Sequence, residues 1–336
     1  MERVPAAGYR IEGLDITGID RNWRSGRNWL FPFRLLRSLW QARQVLGRFR
    51  PEVAVGVGGF ASGPLLFRAA GMGIPTVIQE QNSHPGITNR LLARRVSFVC
   101  AGMPGLERWF PADRLVMTGN PLRARVVEAA KQAGERGAEV RRQACAQWGL
   151  DPDVPVLFVM GGSLGAASMN AAVRHIVEGH ERAGSRPGFQ ILWQCGGRYR
   201  DVSERWLGER GAAGSWVVCR GYIEDMPAAY AAADVIAARA GAMSLAELTL
   251  LGKAAVLVPS PVVAEDHQTR NAQAVVAGGG AVLLEDRRVV AELESTVAAL
   301  LADPGRMADL GEAIRTWARP EAASAVVDVI ERSRTE

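Results

Sequence analysis

Short apolar runs rich in β-branched residues recur along the chain at 53–57, 75–79, 96–101 and 115–119, then at 156–160, 191–194, 215–219, 235–238, 254–258 and 281–284. Runs this short suit strands, and the stretches between them carry helical periodicity. Leu35, Leu39, Ala42 and Leu46, for example, return at the spacing of one helix face. Alternation of strand and helix predicts an α/β protein built on parallel sheets.

Several of the strand runs end directly in glycine, at Gly58-Gly59, Gly119, Gly161-Gly162, Gly196-Gly197 and Gly241. This places backbone amides at the carboxyl edge of a sheet, where ligands of open α/β folds bind. Residues 128–149 are polar, Ala-rich and helix-prone, and they separate the two strand series. The expected division is therefore an N-terminal domain over 1–149, linker included, and a C-terminal domain over 150–336.

The length of 336 residues agrees with two cores, because single cores stop growing well below that size. The chain is 48% hydrophobic with a mean hydropathy of zero. It has no apolar run long enough to span a bilayer, and its start lacks a signal-peptide layout, which reads as an intracellular protein. Cys100, Cys145, Cys195 and Cys219 are far apart, without a metal-ligand spacing, and read as reduced, mostly buried thiols.

Charge changes the picture more than composition does. Residues 1–127 hold 18 Lys/Arg against 8 Asp/Glu, so that the remainder of a chain of net charge +5 is acidic, at −5. The stretch 21–50 carries eight arginines, among them Arg34, Arg37 and Arg43, and no acid, interleaved with Trp23, Trp29, Phe31, Phe33 and Trp40. Arginine with interfacial aromatics suits an anionic membrane surface. The alternative is an ordinary helix whose Leu35, Leu39, Ala42 and Leu46 face a core. No nucleic-acid-binding motif accompanies the charge, and nucleic acid is not an expected partner.

Five segments carry candidate chemistry. Around Gly161, Gly162 and Ser163 the chain reads as strand, glycine turn and helix, which suits either a tight structural turn or a phosphate held by free amides at a helix start, with Ser163 as a cap. A second such unit places Gly241 and Ala242 at a helix start, with Glu247 within two turns, either to hold ribose hydroxyls or to favour the helix dipole. Asp266, His267, Gln268 and Asn271 open another helix, with amide groups suited to sugar hydroxyls and Asp266 as a plausible N-cap. In the first half, two strand exits carry Gly58, Gly59 and Ser62, then Glu80, Gln81, Asn82 and Asn89, read as exposed binding groups. His84 reads as a surface-turn histidine, and Asp151-Pro152-Asp153 as a turn rather than a nucleotide–metal site. No metal or cofactor is expected, so a leaving diphosphate is to be met by amides, helix dipoles and basic groups.

Taken in order, GVGGFASGP, EQNSHPGITNR, TGNPLR, GGSLGA, GYIEDM, RAGAMSLAE and DHQTRNA resemble the motifs of the MurG family, and the resemblance runs through the whole chain. It implies a GT-B fold, two Rossmann-like parallel-sheet domains facing across a cleft, with the last helix (322–332) packing back on the first domain. It also implies an inverting glycosyltransferase that moves N-acetylglucosamine from UDP-N-acetylglucosamine to the undecaprenyl-linked muramoyl-pentapeptide, lipid I, to give lipid II for peptidoglycan. The implied place is the cytoplasmic face of the plasma membrane as a peripheral protein, with cell-wall assembly proteins as further partners. Two alternatives are another GT-B glycolipid glycosyltransferase and a non-catalytic nucleotide-sugar-binding homologue.

Carried over residue by residue, the resemblance assigns Asn120 to the donor sugar, the Ile223 backbone to uracil, and Ala242, Met243, Ser244, Leu245 and Ala246 to the diphosphate turn. Glu247 takes the ribose and Gln268 the sugar hydroxyls. Gly58, Gly59, Ser62, Glu80, Gln81 and Asn82 fall on the acceptor side. Cys195 stands at a donor-contacting position where the family often has Ser or Thr, and Ala167 where it commonly has Arg, with Arg198 or Arg239 able to compensate. The start of the chain resembles a region that in the family follows a first strand and a glycine loop, GGTGGH, whose histidine is the proposed base. On that reading either Met1 is internal to a longer reading frame, or the first domain lacks a strand and His84 is a weak substitute.

Overall fold

A computed structural model describes residues 3–18, 29–162 and 164–335. All ten strand runs are strands: β1 (Ala54–Gly56), β2 (Thr76–Glu80), β3 (Phe98–Ala101), β4 (Leu115–Met117), β5 (Val156–Met160), β6 (Gln190–Gln194), β7 (Val217–Arg220), β8 (Val235–Ala238), β9 (Ala254–Leu257) and β10 (Val282–Leu283). The helices are α1 (Arg3–Ala6), α2 (Phe31–Phe49), α3 (Ser62–Gly71), α4 (Ile87–Leu92), α5 (Ala124–Trp148), α6 (Ala167–Ala183), α7 (Arg200–Gly208), α8 (Met226–Ala232), α9 (Ala242–Leu251), α10 (His267–Ala277), α11 (Val289–Leu301), α12 (Pro304–Arg315) and α13 (Ala322–Ser333).

The chain forms two compact units, Met1–Gly119 with Glu321–Glu336, and Asn120–Pro320. The boundary expected at 149/150 therefore lies at Gly119/Asn120. The polar helix α5 is not a free linker. Arg141 on α5 donates to both carboxylate oxygens of Asp234, at 3.3 and 2.7 Å, and to the carbonyls of Pro152 and Val154, which holds it to the second unit. Asp234 in turn accepts from the Val156 amide at the start of β5.

In the first unit, four strands lie parallel in the order β1-β2-β3-β4. One side of this sheet is covered by a core containing Leu46, Leu66, Ile78, Val99 and Leu106. On another cluster, Val326 and Val329 of α13 pack with Val77, Phe98 and Cys100. Each such buried valine contributes about 1.5–3 kcal/mol relative to exposure. The C-terminal helix is thus part of the first unit.

The second unit is a six-stranded parallel sheet in the order β10-β9-β8-β5-β6-β7. Strands β5 to β9 are fully buried runs, as expected of a sheet covered on both faces, except for the half-open edge strand β7. From β5 the chain winds outward through β6 and β7, then returns to lay β8 on the other side of β5 and winds outward again. The strand order reverses between β5 and β8, and a crevice at the carboxyl ends of two such strands is where doubly wound sheets take ligands.

Candidate functional site

The loops leaving β5 and β8 are the two glycine turns singled out in the sequence. After β5, Gly161 leads through Gly162 (φ +82°) and Gly165 (φ +76°) into α6. Gly165 must be glycine on two counts, because its φ is left-handed and a Cβ there would collide with the Cys195 carbonyl. Gly196, at φ +94°, is equally committed, since its Cβ would strike the backbone of Gly165. The loops leaving β5 and β6 therefore touch backbone to backbone. Ser163 lies outside the described residues.

The start of α6 has no side-chain cap: Ala166 is extended, and the first helical bond runs from the Asn170 amide to the Ala166 carbonyl at 2.9 Å. The amides of Ala167, Ser168 and Met169 are left without helical partners. Helix α9 repeats this arrangement. Gly241 is an extended N-cap with no side chain to offer, and the first bond is Leu245 N–H to the Gly241 carbonyl at 2.9 Å. The amides of Ala242, Met243 and Ser244 remain available, and both helix starts present positive potential at the sheet edge. Leu245 is buried with its amide spent on the Gly241 carbonyl, and Ala246 is half-buried in the helix that follows, so the free amides of this turn end at Ser244. Met243 is exposed.

Glu247 sits in the second turn of α9, past the reach of the helix-dipole reading. Its buried carboxylate accepts from the Tyr230 hydroxyl at Oε2 (2.5 Å) and from Arg123 Nη2 at Oε1 (3.1 Å). Burial first, and then the Glu247 charge, push the Tyr230 pKa well above its ordinary value, so Tyr230 stays a donor. Neither Arg123, at the end of the TGNPLR motif, nor Tyr230 was singled out in the sequence. The only signal was the place of Arg123 inside that motif. Asn120, in the same motif, is buried.

Gln268 and Asn271 separate. The Gln268 side-chain oxygen accepts from the Ser260 amide in the loop after β9 at 2.9 Å, which leaves its NH2 group as the donor end of the side chain. Asn271 is fully buried, and its Nδ2 donates to the Ala240 carbonyl at 3.3 Å, so it braces the turn before α9 and does not meet a sugar. Asp266 holds the N-cap position in a left-handed conformation, but its carboxylate takes the Thr269 hydroxyl (2.6 Å) rather than an amide. Ile223 is buried as a whole residue, 1% exposed.

Two further expectations are corrected. The Cys195 thiol is wholly buried in the core cluster of the second unit, 3.5 Å from the Arg220 carbonyl, and does not face a donor. A hydrogen bond with Cys219 lowers its pKa while the Cys219 thiol is raised. Arg239 does not compensate for Ala167: it pairs with Asp286 at 2.5 Å and donates to Ser168 Oγ and the carbonyls of Val258 and Pro259. Arg198 is exposed, resting near the Tyr199 ring, and remains the cation nearest in sequence to the β6 turn.

In the first unit, Glu80 is not an exposed binding group. The residue is 3% exposed, and its carboxylate accepts from the Asn82 amide (3.0 Å), Asn82 Nδ2 (3.2 Å), the Gly86 amide (3.2 Å) and Asn89 Nδ2 (2.7 Å). The turn 81–86 is wound around it. Gln81 is half-buried, its Nε2 donating to the Val57 carbonyl at 2.8 Å, and Ser62 Oγ donates to the Gly58 carbonyl at 2.5 Å. Gly58 (φ +92°) and Gly59 (φ +79°) form the turn between β1 and α3. His84 is buried edge-on against Trp109, with ring centroids 5.1 Å apart, rather than on a surface. The Asp153 amide donates to Asp151 Oδ1 at 2.9 Å, the turn expected there.

Comparison with known proteins agrees with this architecture. Residues 1–100 match the glycosyltransferase family 28 N-terminal domain, and 156–326 the family's C-terminal domain. The chain is 42% identical over 331 residues to the UDP-N-acetylglucosamine–N-acetylmuramyl-(pentapeptide) pyrophosphoryl-undecaprenol N-acetylglucosamine transferase of Parabacteroides distasonis, covering 98% of this chain and 86% of that protein. The chain belongs to the MurG family. A homologous enzyme of Bacteroides thetaiotaomicron is also 42% identical, across 100% of this chain and 87% of its own. The crystal structure of Acinetobacter baumannii MurG superposes with a TM-score of 0.73 at 28% identity, over 98% of this chain and 87% of that one. The fold is GT-B, as in other members of the family. A UDP-GlcNAc 2-epimerase of Neisseria meningitidis shares the fold alone, at 13% identity and a TM-score of 0.63.

Proposed function

We infer that this protein is a glycosyltransferase of peptidoglycan synthesis, moving N-acetylglucosamine from UDP-N-acetylglucosamine to the undecaprenyl-linked muramoyl-pentapeptide. The observation that carries this reading within the chain is the pair of uncapped helix starts at the reversal point of the second sheet. A diphosphate placed there meets two sets of free amides, and these stay in place as negative charge grows on departing UDP, so they need no reorganisation during the reaction. Glu247 accepts ribose hydroxyls, the Gln268 NH2 group donates to the sugar, and the Ile223 backbone meets uracil. The acceptor 4-hydroxyl displaces UDP from the anomeric carbon with inversion. Gly58, Gly59, Ser62, Gln81 and Asn82 lie on the acceptor side, with Glu80 as their brace.

The acceptor is a membrane lipid, and we assign the contact with an anionic cytoplasmic surface to α2. Among the described residues no helix is long and apolar enough to cross a membrane. Helix α2 has two apolar faces. Ala42 and Leu46 are buried, whereas Phe33, Leu36 and Trp40 are 72, 65 and 58% exposed on one stripe. Three of its arginines are engaged by the preceding segment: Arg34 donates to Thr17 Oγ1, Arg37 pairs with Asp15 and Arg48 with Glu12. Arg21, Trp23, Arg24 and Arg27 lie outside the described residues. The stripe, more than those arginines, supports docking.

Transfer of labelled N-acetylglucosamine to a lipid I analogue, with release of UDP, tests the activity. Donor binding without transfer would overturn it in favour of a binding protein. Trp40→Ser should weaken sedimentation with phosphatidylglycerol vesicles, and unchanged sedimentation removes α2 from the membrane contact.

A further inference from the structure

A second basic feature of the first unit lies apart from α2. A cavity of about 780 Å3 is lined by Arg90, Leu91 and Arg94, from α4 and the turn after it, and by Arg108, Trp109 and Arg114 from the loop between β3 and β4. Asp113 is the one acid on its wall. The Arg90 guanidinium lies 4.9 Å and that of Arg108 5.5 Å from the centre of the Trp109 ring, so the indole organises two cations at once. Arg114 Nη1 is tied to the carbonyls of Arg94 (2.8 Å) and Val96 (2.9 Å), and its Nε stands 4.0 Å from Asp113. Arg94 and Arg108 are exposed and form no ion pair with any described residue.

Four arginines line one cavity whose wall carries a single carboxylate, and a concave site concentrates their field. We propose that this cavity is a phosphate-binding site, taking a phosphate or diphosphate group either free in solution or borne by a lipid headgroup. Guanidinium forks match tetrahedral phosphate oxygens in bidentate fashion, and stacking on Trp109 lowers the ordering cost of presenting Arg90 and Arg108. Exposed Leu91 at the rim adds an apolar contact suited to a ligand with a hydrocarbon portion. The site is independent of the glycosyltransferase reading, because its binding is measured without donor or acceptor.

The test compares the full chain with Arg94→Gln/Arg108→Gln and Arg94→Glu/Arg108→Glu, each first checked for an unchanged melting curve. Calorimetry with inorganic pyrophosphate is run in saturating UDP, so that the nucleotide site does not contribute. Sedimentation with phosphatidylglycerol and phosphatidylcholine vesicles forms the second arm. The expected result is at least a tenfold loss of pyrophosphate affinity in the Glu pair and a smaller loss in the Gln pair, with sugar transfer in detergent within twofold of wild type. Loss confined to the phosphatidylglycerol arm supports the site with a lipid headgroup as its ligand. Equal binding by wild type and both variants in both arms overturns the proposal, whether or not sugar transfer is found.

Discussion

The Tyr230 hydroxyl and Glu247 Oε2 lie 2.5 Å apart, with Arg123 on the other carboxylate oxygen, so the carboxylate proposed for the ribose is oriented before any ligand arrives. Tyr230→Phe removes one of the two restraints and leaves the ring packed beside Phe158. The expected outcome is a three- to tenfold rise in donor KM with kcat little changed, because a charge-assisted hydrogen bond contributes about 1.5–3 kcal/mol, part of which Arg123 retains. Steady-state kinetics decide it. A KM equal to wild type means that Tyr230 orients nothing the donor uses.

Arg123→Ala should act on the same carboxylate. A Tyr230→Phe/Arg123→Ala double-mutant cycle on donor affinity is expected to show coupling of about 0.5–3 kcal/mol, since both residues work through Glu247. Strict additivity would separate them.

Gly165→Ala is expected to be severe. It places a Cβ against the Cys195 carbonyl at a φ of +76°, and the two loops must part. A loss of about 2–4 kcal/mol in urea unfolding, together with at least tenfold weaker UDP binding by calorimetry, is the expected pair of results. Near-normal values of both would mean that the loops do not depend on this contact.

Glu80→Gln keeps the size of the side chain but points an NH2 group at donors that now face an oxygen. Unfolding free energy should fall by about 1–3 kcal/mol, and amide exchange over 81–86 should quicken. Unaltered exchange would show that the turn holds itself.

Lys253 gives a pH signature. Its ammonium is buried, donating to the carbonyls of Tyr230, Ala231 and Ala233 at the end of α8, and burial lowers its pKa from 10.5 to about 8. Between those values the unfolded chain holds a proton that the folded chain has released, so stability rises with pH. Relative to Lys253→Met, the wild type should gain about 3 kcal/mol between pH 8 and 10.5, read from urea midpoints. A difference that is flat with pH would place the folded pKa near its ordinary value.

Local pattern made much of the fold legible. All ten strand runs stood out because buried parallel strands are continuous β-branched runs bounded by glycine, as 156–160 and 254–257 show. The starts of α6 and α9 were legible for the same reason, since a strand that ends in glycine before a helix-forming stretch must leave amides uncovered. The domain boundary was misplaced because α5 reads as a polar linker, and the Arg141–Asp234 pair that binds it to the second unit joins residues 93 positions apart. Glu80, His84 and Asn271 were misread as exposed or sugar-binding groups because burial depends on what the rest of the chain packs over them. Tyr230 was missed because nothing in its own neighbourhood distinguishes it from a core aromatic.

The alternation of strand and helix, the glycine turns, the basic first half and the motifs of the family are properties of neighbouring residues and are written in the order of the chain. The return of β8 beside β5, the meeting of Gly165 with Gly196 and the closure of Arg123 and Tyr230 on Glu247 arise on packing. These depend on which strands pair, and pairing between distant segments follows from burying the whole core at once rather than from any local preference.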